Sequence, residues 1–143
     1  MTTTLTPEIL RETFSLLGDW EDRYAYLIDL GRALPPMDPA LKTDDILVKG
    51  CTSRVWLMSI SGMDDDGDIC YTFMADSDAA IVKGLVALVL VCIQGKSAAD
   101  IAAFDLVGFF RDLSLEEHLS PNRRSGFYAM IDRVKHLAYA AEH

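Results

Sequence analysis

The chain has 143 residues, half of them apolar, enough for one domain over 1–143 whose core needs no disulfides. Its 13 basic residues against 22 acidic ones give a formal net charge of −9, which repels phosphate backbones and argues against nucleic acid as a partner. The opening MTTTLTPEIL lacks the basic and apolar regions of a signal peptide, and the longest apolar run, 79–93, is shorter than the ~20 residues a membrane span needs and contains Lys83, so a cytoplasmic protein without a membrane partner is expected.

Thr6 before Pro7 predicts a capped helix start, with Ile9, Leu10, Phe14 and Leu17 at helical spacing and Gly18 ending it. Asp19 caps a second helix whose Trp20, Tyr24, Leu27, Ile28 and Leu34 share a face, and Pro35-Pro36 stops it before an irregular connector over 35–45. From Ile46 the pattern turns β-like in three runs, Ile46–Lys49, Val55–Ile60 and Ile69–Ala75, with SGMDDDGD at 61–68 as the turn of a small antiparallel sheet. Alternation puts Ile69, Tyr71 and Phe73 on one face of the third run, and Cys70 and Met74 on the other.

The nearly all-apolar stretch Ala79–Ile93 reads as a buried central helix, entered after Asp76 and Asp78 as acidic caps and left at Gln94-Gly95. Ser97 with Asp100 resembles a capping box for a short helix through Phe104, and Asp105 or Ser114 can start further turns. Ser120-Pro121 opens a last helix whose Phe127, Met130, Ile131, Val134, Leu137, Ala138 and Ala141 form a regular stripe.

Three cysteines, Cys51, Cys70 and Cys92, are odd in number and lack CxxC spacing, as free thiols in a reducing compartment would. Cys51 follows Gly50 between two strand-like runs, with Lys49 and Arg54 near it. Positive charge favours the nucleophilic thiolate, and glycine admits a partner's backbone; a small apolar residue at a strand end is the competing reading. Cys92, inside the apolar helix, and Cys70, on a strand face with nothing to activate it, read as packing residues.

No cysteine has a histidine at metal-ligand spacing, so no metal site is expected short of tertiary convergence. A Cys51 hydrolase with His118 or His136 stays open, but no oxyanion-hole motif supports it. Lys83 lacks a phosphate-cradling glycine loop for a Schiff-base cofactor and reads as a polar end leaving the core. Asp64–Asp66 lacks the spacing of a calcium loop and reads as a solvated turn. Arg123 and Arg124 sit against the dipole at the start of the last helix, a local conflict consistent with a role or with a surface ion pair.

The strings WEDRYAYLIDLGRALP at 20–35, VKGCTSRVWL at 48–57, DSDAAIVKGL at 76–85 and LSPNRRSGF at 119–127, in this order over nearly the whole chain, resemble the SufE-like sulfur-acceptor family. The resemblance implies an α+β fold of the type shared with iron–sulfur scaffold proteins, with Cys51 matching the sulfur-accepting cysteine. It implies as partners a pyridoxal-phosphate-dependent cysteine desulfurase, which owns the cofactor, and a cluster scaffold complex as downstream acceptor. No cofactor of the chain's own is implied, and self-association as a homodimer stays open. Gly50, Arg54, Asp76, Asp78 and Arg123 fall in the matching blocks as loop-bracing or docking residues. After Cys51 the chain reads Thr52-Ser53-Arg54 where the family carries glutamine or other polar residues, a departure that bears on partner choice. A cluster scaffold and a purely allosteric activator are the rival readings.

Overall fold

The order of elements follows from where the caps and the apolar stripes fall. In the computed structural model, which describes residues 5–48, 53–115 and 119–142 with side chains through residue 137, the chain runs α1 (Pro7–Leu16), α2 (Trp20–Arg32), β1 (Val55–Met63), β2 (Ile69–Ser77), α3 (Ala80–Ile93), α4 (Ala98–Ala103), α5 (Leu106–Asp112) and α6 (Pro121–Glu142). The architecture is α+β, a small antiparallel sheet packed against helices.

Each helix start is fixed by a side-chain oxygen taking an otherwise orphaned N–H. Thr6 Oγ1 accepts from Ile9 (3.2 Å), Asp19 Oδ1 from Asp22 (2.9 Å), Ser97 Oγ from Asp100 (3.2 Å), Asp105 Oδ1 from Gly108 (2.9 Å) and Ser120 Oγ from Arg123 (3.3 Å). The exception is α3. Its cap is Ala79, which has no side chain to give, and neither Asp76 nor Asp78 caps it as the sequence suggested. Both carboxylates are engaged elsewhere, as described below.

The first strand-like run, expected over Ile46–Lys49, forms no strand through Val48, and Lys49 lies outside the described residues. Residues Asp44–Ile46 form a single 3-10 turn, and only an isolated bridge, Leu47 to Trp56, joins this stretch to β1. The sheet of the described residues is therefore two-stranded, β1 against β2 from Val55↔Ser77 to Met63↔Ile69. Its turn is solvated as expected: Asp64 Oδ1 accepts from the N–H groups of Asp66 (3.0 Å) and Asp68 (2.9 Å), and Gly67 supplies the positive φ of 85°.

Helix α3 is the centre of the core. From Gly84 to Leu90 every residue is buried, because β2 presents Tyr71, Phe73 and Ala75 to the core and α2 covers α3 with Leu27, Leu30 and Gly31. The two helices touch at their glycines. A Cβ at Gly31 would meet Gly84 N at 2.8 Å, and one at Gly84 would run into the Leu27 carbonyl, so neither position admits a side chain at this spacing. Helix α6 closes the core with Phe127, Met130, Ile131 and Val134, Phe127 stacking on Phe110 at a centroid distance of 3.9 Å.

Candidate functional site

Strand β1 begins where the Cys51 connection ends, and that end is held from three directions. Arg54 donates its N–H to Asp78 Oδ1 (3.0 Å), and its carbonyl accepts from Ser77 Oγ (2.8 Å) and from the Asp78 N–H (3.3 Å). The other end is fixed by Val48, whose N–H donates to the Val55 carbonyl (2.8 Å). Residues 49–52, including the sequence candidates Gly50 and Cys51, lie outside the described residues, as does His118. The structure brings Arg54 and Asp78 together through the Arg54 main chain, and leaves both side chains exposed.

Behind this clamp is a buried acid. Asp76 is 7% exposed, with Oδ2 2.7 Å from Lys42 Nζ and Oδ1 3.3 Å from Lys83 Nζ; Oδ1 also accepts the Ser77 N–H (2.8 Å). Burial pushes this carboxyl up, but Lys42, the Ser77 N–H and Lys83 outweigh burial and hold it below its ordinary value. Lys83 is thus no free polar end: it pairs with Asp76 from α3. Lys42 also lies over the Trp56 ring, 5.1 Å from its centroid, so one carboxylate ties the connector, both strands and α3 together.

Ser53, next to the clamp, lines a cavity of about 260 Å³. Its floor is apolar, from Val55, Val82, Leu85, Phe127 and Met130, and its rim is polar, from Ser53, Ser120, Asn122 and the exposed Arg123 at the start of α6. Such a cavity suits a small, polarisable, weakly hydrated group better than a strongly hydrated ion. Arg124, the other half of the arginine pair, is half-buried, and its buried Nε has no hydrogen-bond partner among the described residues. Sequence reading did not single out Lys42, which sits in the irregular connector, or Asn122 as a site residue, and took Ser120 only for a helix start.

The other two thiols lie elsewhere. Cys92 is fully buried in α3, and burial pushes it up to about 12. Cys70 is half-buried opposite Gly62, toward the far end of the hairpin from Val55. His136 is exposed on α6 and lines a separate cavity with Asp44, Asp45 and Asp132. Among the described residues no three His, Cys, Asp or Glu side chains converge so as to hold a metal ion, and no helix is long and apolar enough to cross a membrane.

The profile of the SufE family, an Fe–S metabolism associated domain, matches residues 8–138. An uncharacterized SufE-like protein of Rhizobium etli is 43% identical over 127 residues, covering 89% of this chain and 85% of its own. A second, from Rhizobium meliloti, is 44% identical over 124 residues, covering 87% and 88%. The solution structure of a hypothetical protein from Thermus thermophilus has the same fold, with a TM-score of 0.70 over 94% of each chain at 24% identity. The chain belongs to the SufE family, whose role lies in iron–sulfur metabolism.

Proposed function

We propose that this chain takes sulfur from a pyridoxal-phosphate-dependent cysteine desulfurase onto Cys51, stimulates that enzyme by clearing it, and relays the sulfur to a cluster scaffold complex. The Cys51 thiolate attacks the outer sulfur of the desulfurase persulfide. A new S–S bond forms on Cys51, the partner's S–S bond breaks, and its cysteine leaves as a thiolate, so no external oxidant or reductant is needed. The pyridoxal phosphate belongs to the partner.

The observation that carries this reading is the contrast among the three cysteines. Cys92 is sealed in the core with its thiol pushed up to about 12, and Cys70 is on the hairpin away from the clamp. Cys51 lies in sequence between Val48 and Arg54, both held by main-chain hydrogen bonds, and the described residue Ser53 lines a cavity with an apolar floor and an arginine at its rim. In this reading Gly50, Arg54, Asp78 and Arg123 form the face offered to the desulfurase, and Asp76 braces it from within.

Desulfurase turnover of cysteine, measured with and without the protein, tests the reading. Stimulation by wild type that disappears in Cys51→Ser supports a sulfur acceptor. Stimulation equal in both would make the chain an allosteric activator and overturn the proposal.

A further inference from the structure

In an antiparallel ladder, alternate residues of a strand turn both main-chain groups to the same side. On β2 that side, away from β1, is partly filled. Tyr71 donates to the Lys96 carbonyl (2.9 Å) and accepts from the Gly95 N–H (2.8 Å). Two residues on, Phe73 is met by a side chain in place of a strand: its N–H donates to Gln94 Oε1 (2.6 Å) and its carbonyl accepts from Gln94 Nε2 (2.9 Å). The register continues unbroken to Leu57↔Ala75, so Ala75 turns its N–H and C=O to the same side, and there neither has a partner among the described residues. Ala75 is only 4% exposed, and a buried amide left unpaired is unfavourable.

A cleft of about 430 Å³ opens on this edge, between the end of α2, β2 and α3. Leu34, Met37, Leu90 and Val91 are among its walls, and no described residue lining it is charged. A charged occupant would lose its hydration here with nothing in exchange, whereas an uncharged amide with apolar flanks meets both the empty rung and the walls. Gln94 already shows that this edge accepts an amide from outside the sheet.

We propose that the cleft binds an extended, uncharged, apolar peptide segment of a partner protein, which pairs with Ala75 as one added rung of the sheet. The site is separate from the Cys51 clamp and does not depend on sulfur transfer.

Isotope-labelled full-length protein titrated with the tripeptide Ac-Leu-Val-Leu-NH2, followed by amide NMR, tests it. Saturable binding is expected, with a downfield shift of the Ala75 N–H. Methylating the central peptide nitrogen is expected to weaken binding about tenfold, the order of a lost hydrogen bond with its desolvated partner. Leu34→Lys, at the half-buried rim, is expected to abolish binding while the remaining spectrum stays folded. No saturable binding would overturn the proposal, as would equal binding of the methylated peptide, which would mean apolar filling without a rung. Binding seen only in a chain lacking residues 1–4 would also overturn it, since Leu5 lines the cleft and the chain's own terminus would then be the occupant.

Discussion

Asp76→Asn isolates the buried brace, because the amide keeps the size of the side chain and removes its charge. Wild-type Asp76 faces Lys42 at 2.7 Å and Lys83 at 3.3 Å, and both lysine side chains are 27% exposed. Removing one partner of a buried ion pair costs about 3–5 kcal/mol, and here the lower end applies, since each lysine can turn toward water; about 3 kcal/mol is expected at pH 7. For a domain of this size that lowers Tm by about 10 °C. The effect has a pH signature. The folded carboxyl titrates below its unfolded value near 3.9, so its stabilisation is fully present above that value and is lost as pH falls through the folded one. Urea unfolding of both proteins at pH 7 and near pH 3 is the assay: the midpoints should differ clearly at pH 7 and converge in acid. Equal midpoints at pH 7, or a gap that persists undiminished in acid, would refute the assignment of Asp76 as an ionised brace.

Gly84→Ala places a methyl against the Leu27 carbonyl and should destabilise the fold by about 3 kcal/mol or more through separation of α2 from α3, read from the urea midpoint; an unchanged midpoint would contradict the close crossing. Asp78→Ala removes the acceptor of the Arg54 N–H at an exposed position, so stability should fall by only about 1 kcal/mol while stimulation of the desulfurase drops several-fold. Full stimulation with Asp78→Ala would count against the clamp as part of the docking face. Cys92, pushed up to about 12 by burial, should resist iodoacetamide at pH 8 in the native protein and react in urea, as peptide mapping can show.

Much of the fold is written in local signals. Thr6, Asp19, Ser97, Asp105 and Ser120 announce helix starts because capping is an interaction over three residues, and the all-apolar α3 and the stripe of α6 follow from periodicity. The strand expected from Ile46 does not form through Val48, because β-propensity says nothing of pairing: Leu47 finds a single bridge, and the three residues before it close a 3-10 turn. Asp76 and Asp78 looked like caps for the same reason, being polar residues ahead of a helix, yet tertiary partners took both: Lys42 and Lys83 for one, the Arg54 amide for the other. Of the candidate site, Arg54 and Asp78 were singled out through the matching family blocks, and the hydrogen bond between them is seen only in the fold. Lys42, and the gathering of Ser53, Ser120 and Asn122 around the candidate Arg123, were not, because the connector meets Asp76, and Ser53 meets the start of α6, only in the folded chain.

The central claim is that Cys51 itself carries sulfur, and mass spectrometry of the intact protein after incubation with a cysteine desulfurase and cysteine addresses it without passing through turnover. Wild type and a Cys70→Ala/Cys92→Ala variant are expected to gain one sulfur atom, released by a reducing agent and mapped to the peptide bearing Cys51, whereas Cys51→Ser gains none. Sulfur found on Cys70 or Cys92, or on no cysteine at all under conditions where the desulfurase turns over, would contradict it.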